Sequence, residues 1–436
     1  GVPQATWSII WNNLGITSQI FGDLDMAIIY LRKSLIQHRE SDNLIGEATS
    51  LNNISQVYKI KGNYDLAVQC LNKSLLLQRQ LGNLEKEGTT LNNISQIYDA
   101  QGDYDTALEY LNQALSIQQK ISDIKGEGTT LNNIGLLYHK KGDYSKAMEL
   151  YEKSLHIIRK IGNLRQEGIT LNNISQIYEF YGNYNVALEY LEQALEIQQK
   201  IGDSQSKDTT INNMGRVYMS KGDYNLALVY AEKALFISKK NEDLLKVGMA
   251  LGNIGQIYNL KKDYIKALKY FRQALEIQQQ IGNKHGEAII LNNLASIAYT
   301  EKDYNKALEH YEKSLYIYSQ IGDRSGIGII LNNISQLHVD KGEFGVALDY
   351  LQQSLDIREQ IGDSKGMANN LHNIGSIIFR QAKYEEAVLP IFQAYQIFNQ
   401  IGSPSKEVSE SYLNTIIEKI GKARFQEILQ SAQNEN

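Results

Sequence analysis

The side chains best placed to make specific contacts in this sequence are amides. Written in rows of 40 residues, the chain gives ten rows that align without a gap and a shorter eleventh. Position 13 of every row is asparagine: Asn13, Asn53, Asn93, Asn133, Asn173, Asn213, Asn253, Asn293, Asn333 and Asn373. Position 12 is asparagine in eight rows, including Asn52, Asn92, Asn132, Asn172 and Asn212, and position 16 is glutamine in five, including Gln96, Gln176 and Gln256. Across positions 9–18 of the ten rows the one formal charge is Arg216. A primary amide carries donors and an acceptor, so a ladder of them matches the alternating N–H and C=O of an extended peptide backbone. The same ladder could bond the backbone of the adjacent row and set the pitch between rows. The two uses are compatible, and the residues leave both open.

Other chemistry is hard to find. The seven histidines (His38, His139, His156, His285, His310, His338 and His372) occupy seven different row positions, and no two have the i, i+3 or i+4 spacing of a local metal site. Cys70 is alone, which excludes a disulfide framework and a cysteine metal cluster. No phosphate-cradling glycine loop, nucleophile elbow or zinc-protease helix motif is present. Neither catalysis nor a cofactor is expected. A net charge of -5 gives no footprint for nucleic acid. No apolar run nears the ~18 residues of a membrane span, and no signal-peptide pattern opens the chain. The composition therefore fits a soluble, cytoplasmic protein.

Regular elements must hold the amides in line. Only 3 prolines in 436 residues point to an almost wholly helical chain. Each row reads as a first helix over positions 5–20 and a second over positions 24–40. Position 22 between them is glycine in seven rows (Gly22, Gly62, Gly102, Gly142, Gly182, Gly222 and Gly342), which suits a left-handed residue closing a helix. Lys262, Lys302 and Ala382 replace it in the others. Position 23 is usually Asp or Asn, able to cap the next helix, and Ile-Gly-Asp/Asn (Ile161-Gly162-Asn163, for example) punctuates the rows. At 100° per residue, positions 11, 14, 15 and 18 share one arc of the first helix, the expected core. Alanine at position 27 in all ten rows, opposite the small position 15, lets the paired helices approach closely. Positions 9, 12, 13, 16, 19 and 20 fall on the opposite arc. Pro390 should kink its helix.

Row one carries Trp11-Asn12-Asn13-Leu14-Gly15 followed by Ala27 and Leu31. This pattern resembles the tetratricopeptide repeat, a helix–turn–helix unit, in the 40-residue variety of animal cell-polarity adaptors and many bacterial multi-repeat proteins. The resemblance implies an all-α, right-handed superhelical solenoid: ten repeats over residues 1–402, then capping helices over 403–436. Each unit should pack only on its sequence neighbours. The resemblance also implies that the first helices line a concave groove for a protein or peptide ligand. Some relatives hold a carboxylate there with Lys, Asn and Arg; this sequence keeps only the Asn.

The expected function is a non-catalytic interaction scaffold with an extended peptide in the groove. The expected contacts are Asn53, Asn93, Asn133, Asn173, Asn213, Asn253, Asn293 and Asn333, the position-12 amides, Gln96, Gln176, Gln256 and Arg216. Arg216 should meet an acidic ligand group with no competing anion nearby. Positions 19 and 20 vary from row to row, as specificity contacts or as relaxed helix ends. The alternatives are the regulatory array of a larger enzyme, such as a caspase-like peptidase or NTPase, and a self-assembling array. Gly1-Val2-Pro3 begins mid-loop and without Met, so an excised fragment is expected, with Trp7 and Trp11 leaving an apolar face that frays or weakly self-associates.

Overall fold

The structure is a computed structural model that describes residues 4–434, with the side chains of 4–6, 205, 433 and 434 left out. Gly1-Val2-Pro3 lies outside the described residues. Among them are twenty-two helices and no strand. Each row supplies two helices of nearly equal length, Gln4–Ile20 with Leu24–Glu40 in row one and Leu164–Phe180 with Tyr184–Lys200 in row five. Position 22 is left-handed in every row. Gly62 has φ +75°, while Lys262, Lys302 and Ala382 take the same conformation at about +60°, a strain of roughly 1 kcal/mol for a residue with a Cβ. The caps form as the residues suggest: Asp103 Oδ1 accepts from the Thr106 amide, and Asp323 Oδ1 from the Gly326 amide. Pro390 lies within Tyr384–Gln400, which continues through it as one helix.

The alanine at position 27 is fully buried in all ten rows. A Cβ built on Gly135 would stand 2.8 Å from the Tyr151 ring and 3.3 Å from the Ala147 carbonyl, so the small residue at position 15 is what lets the helices meet. The core arc differs from expectation at one edge. Position 17 (Val57, Ile97, Ile177) is fully buried. The tyrosine at position 18 is only half-buried in most rows and stacks on an aromatic at position 30, as in Tyr98–Tyr110 and Tyr178–Tyr190. The first helix packs on both its own partner and the neighbouring repeats, so its buried arc is wider than a two-helix contact requires.

The larger correction concerns which repeats touch. The turn at Gly22 lies against Leu244 and Ile281, and the turn at Gly62 against Lys284 and Ile321. Gly22 to Leu244 and Gly62 to Lys284 both span 222 residues, or about five and a half repeats, so the superhelix completes a turn and the next turn sits on it. The Arg324 amide donates to the Gln101 carbonyl across this seam at 3.0 Å, and one apolar cluster joins residues 24–114 to residues 288–337. Burial follows position in the superhelix rather than residue type. Ile321 and Ile361 are 7% and 1% exposed under the first turn, whereas Ile161 and Ile201, at the same row position, are 39% and 36% exposed. Units therefore do not pack only on sequence neighbours.

The seam also explains the broken glycine column. A Cβ on Gly62 would stand 2.6 Å from Ile321, and one on Gly102 would stand 2.9 Å from the Ser325 amide nitrogen. Nothing approaches Gly182, Gly222 or Gly342 within 4 Å. Lys262, Lys302 and Ala382 occur in exposed turns, where a side chain has room.

At one end Trp7, Trp11 and Tyr30 stack in series, with Lys33 Nζ 4.5 Å from the Trp11 ring centre. At the other, Lys406–Ile420 and Lys422–Asn434 lay Leu413, Ile416 and Phe425 against Ala387, Val388 and Ile391.

Candidate functional site

The asparagine columns form a directed relay. In three rows the position-12 amide donates from Nδ2 to the carbonyl four residues back: Asn52 to Ala48 and Asn92 to Gly88 at 3.1 Å, and Asn172 to Gly168 at 2.9 Å. Asn92 and Asn172 also donate to the threonine at position 10 of the next row, Thr130 and Thr210, each at 2.8 Å. With Nδ2 fixed, Oδ1 must face the next row. There it accepts from the position-13 Nδ2: Asn133 donates to Asn92, Asn173 to Asn132, Asn213 to Asn172 and Asn253 to Asn212, all at 2.9–3.0 Å. Asn53, Asn93 and Asn333 make the same bond one row back, to Asn12, Asn52 and Asn292. The relay breaks once. Row seven has Gly252 at position 12, Ile290 fills the space beside it, and Asn293 has no hydrogen-bond partner among the described residues.

The two columns thus have different surroundings. Asn92, Asn132 and Asn172 are buried, while the half-buried Asn52 and Asn212 each accept through Oδ1 from the next row, and Asn52 also donates to the Ala48 carbonyl of its own helix. The position-12 amides set the spacing between rows. The position-13 amides of the relay, Asn53 through Asn253 with Asn333 and Asn373, are half-buried, use one N–H, and keep Oδ1 free among the described residues. Of the glutamines, Gln96 accepts from Lys59 Nζ at 2.9 Å. Gln176 and Gln256 bond to nothing else described and stay half-exposed.

Arg216 is not where the uncharged window implied. Its Nη2 and Nε lie 3.1 and 3.2 Å from Glu179 Oε2, and Ser220 donates to the other carboxylate oxygen. A competing anion is therefore already in place. Glu179 sits at position 19, just beyond the stretch that carries no other charge. Row-to-row pairing recurs there: Lys140 meets Asp99 at 2.6 Å, and the Tyr299 hydroxyl donates to Asp340.

Further along the same face, Lys365 of the second superhelical turn places Nζ 4.8 Å from the centre of the Phe180 ring, which stacks on Tyr144 at 3.7 Å. His139 lies beside Tyr144, its Nδ1 buried without a partner. Burial, and then the cations of Arg216, Lys365 and Lys140, push its pKa down to about 4, so it is neutral at pH 7. Burial likewise holds Lys59 and Lys365 below the usual lysine range.

Between the turns is a cleft of about 790 Å³, reached by Lys59, Gln96 and Lys140 from one turn and by Leu245, Ile289 and Ile329 from the next. The local sequence carries no signal for it, because its walls are some 105–270 residues apart. The glycines retained at Gly22, Gly62, Gly102 and Gly142 are its nearest trace. Among the described residues no three His, Cys, Asp or Glu side chains gather as a metal site, and no helix is long and apolar enough to cross a membrane.

This amide-lined helical array matches a known family. The tetratricopeptide-repeat profile matches residues 8–75, 46–120, 126–200, 207–280, 286–360 and 326–400. The chain belongs to the tetratricopeptide-repeat family. No curated protein sequence matches it. Among solved structures it is similar to a Rap protein complexed with competence and sporulation factor, at 17% identity over 82% of this chain and 99% of that one, with a TM-score of 0.57. RapI in its apo form matches at 19% identity over 63% and 98% of the two chains (TM-score 0.48). BtubC (BKLC) from P. vanneervenii matches at 23% identity over 49% and 90% (TM-score 0.42).

Proposed function

We propose that the chain is a non-catalytic scaffold that takes an extended segment of a partner protein along its concave face. The observation that carries this reading is the orientation of the position-13 amides. Each relay bond turns Nδ2 toward the previous row and leaves a carbonyl oxygen and one N–H unspent, from Asn53 through Asn253. Such a row offers main-chain pairing to any extended segment, with affinity that depends little on the segment's sequence. Gln176, Gln256 and the unpartnered Asn293 extend the same supply. The Rap protein of similar fold was solved with a bound factor, which supports ligand binding as a use of this architecture.

The test begins with peptides selected from a random display library on the wild-type chain. Asn173→Ala combined with Asn213→Ala should weaken every selected peptide by about 1 kcal/mol per lost bond, whatever its sequence. The exposed pair Glu109→Lys with Glu189→Lys should change nothing. Unaltered affinity in the helical Asn variant would overturn the reading.

A further inference from the structure

We infer that the cleft between the superhelical turns is a binding site for a short acidic and aliphatic peptide segment, which sets an anionic group on Lys59 and aliphatic side chains on Ile289 and Ile329. The inference rests on the scaffold reading and names the ligand chemistry that this stretch of the concave face selects.

The cleft is lined by aliphatic and by charged side chains. Position 9 faces the groove and is threonine in rows two, three, four and six (Thr49, Thr89, Thr129 and Thr209). In rows eight and nine it is Ile289 and Ile329, 39% and 44% exposed, and with Leu245 they make the wall supplied by the second turn. Two adjacent isoleucines left open to water inside a concavity are an aliphatic recognition surface. A volume of about 790 Å³ lies within the ~300–1,000 Å³ range of ligand sites, enough for several side chains.

The charged groups come from both turns, and their pairing is uneven. Asp99 is held by Lys140 at 2.6 Å, Asp323 by His285 at 3.3 Å and Asp363 by Arg358. Asp99 and Asp363 therefore have cationic partners, and Asp323 has the His285 ring beside it. Lys59 has no carboxylate within ion-pair distance among the described residues; it donates only to the neutral Gln96 amide. A half-buried cation bonded to a neutral amide gains from an incoming anion, because a charge-assisted bond is about twice as strong as a neutral one. Burial depresses the Lys59 pKa, with the nearby Asp99 charge acting in the other direction. A basic ligand would meet the Lys59 charge directly, which sets the preference for acidic segments.

The test uses acetylated, fluorescein-labelled Glu-Leu-Glu-Leu-Glu-Leu on the full chain, with Lys-for-Glu and Ser-for-Leu versions as comparisons. Fluorescence anisotropy should rank the Glu-Leu peptide first. Lys59→Gln removes the charge while leaving a polar side chain, and should cost that peptide about tenfold in affinity, as expected for one bond to a charged group. Ile289→Thr with Ile329→Thr installs the residue that four other rows carry, so the fold tolerates it. It should reduce the Glu-Leu peptide to the level of the Glu-Ser one. The inference is overturned if the Glu-Leu peptide does not bind, or if neither cleft variant changes its affinity. Loss with Asn173→Ala and Asn213→Ala but not with the cleft variants overturns the cleft site alone and leaves the scaffold reading standing.

Discussion

Asn172 and Asn173 are adjacent in sequence and identical in type, yet the structure gives them different work, which makes them a controlled pair. Asn172 donates to the Gly168 carbonyl and to Thr210 and accepts from Asn213, all in a buried setting. Asn172→Ala removes three bonds and strands their partners, so at about 1 kcal/mol each it should destabilise the chain by ~3 kcal/mol. Asn173 makes one bond, to Asn132, and its half-exposed site admits water in its place. Asn173→Ala should cost ~1 kcal/mol. Long repeat arrays need not unfold in one step, so urea titration should be joined by amide hydrogen exchange read locally. The Asn172 variant should speed exchange in 161–220, where both of its neighbouring rows lose a bond. The Asn173 variant should exchange nearly as wild type and show its effect in peptide affinity. Equal destabilisation by the two would refute the division between framework and groove.

Three further outcomes follow from the geometry. His139 has a folded-state pKa of about 4 against an ordinary 6.5, so the unfolded chain binds the proton first as pH falls. Stability should drop by ~3 kcal/mol between pH 6.5 and pH 4 on this account; His139→Leu should flatten that part of the Tm profile, and an unchanged slope would count against it. Gly62 and Gly182 share nearly the same left-handed φ, but only Gly62 faces the next turn. Gly182→Ala should cost about 1 kcal/mol of backbone strain, and Gly62→Ala a further ~1–3 kcal/mol of overpacking at the seam, measured by urea midpoints. Glu179→Gln should release Arg216 and strengthen acidic peptides at low salt, whereas Arg216→Ala should change stability by under ~1 kcal/mol because the pair is half-exposed.

The period, the helix pairs and their turns were legible because ten near-copies repeat each signal. Ala27 and its equivalents identify close packing, and Gly22 and Asp23 a turn and a cap, from residue type alone. The amide columns were visible as important, but their division was not. Which end of Asn172 faces where depends on Gly168 in its own helix and on Thr210 and Asn213 in the next row. Arg216 was misjudged because its partner, Glu179, lies 37 residues back at a position just outside the uncharged stretch. Position 17 was missed because a single buried arc was assumed for a helix that packs on several neighbours. The seam leaves almost no local trace, since its contacts span 222 residues. Its one mark is glycine kept at position 22 in the covered rows and lost only in uncovered ones.

A ligand in the groove should lie along the first helices rather than on the outer surface. A benzophenone amino acid placed at half-exposed Gln176 or Gln256, and in separate variants at exposed Glu189 of a second helix, reads this out directly. With display-selected peptides bound, irradiation and mass spectrometry should find peptide attached at 176 and 256 and not at 189. Attachment at 189 with none at 176 or 256 would place the ligand on the other face and contradict the concave groove.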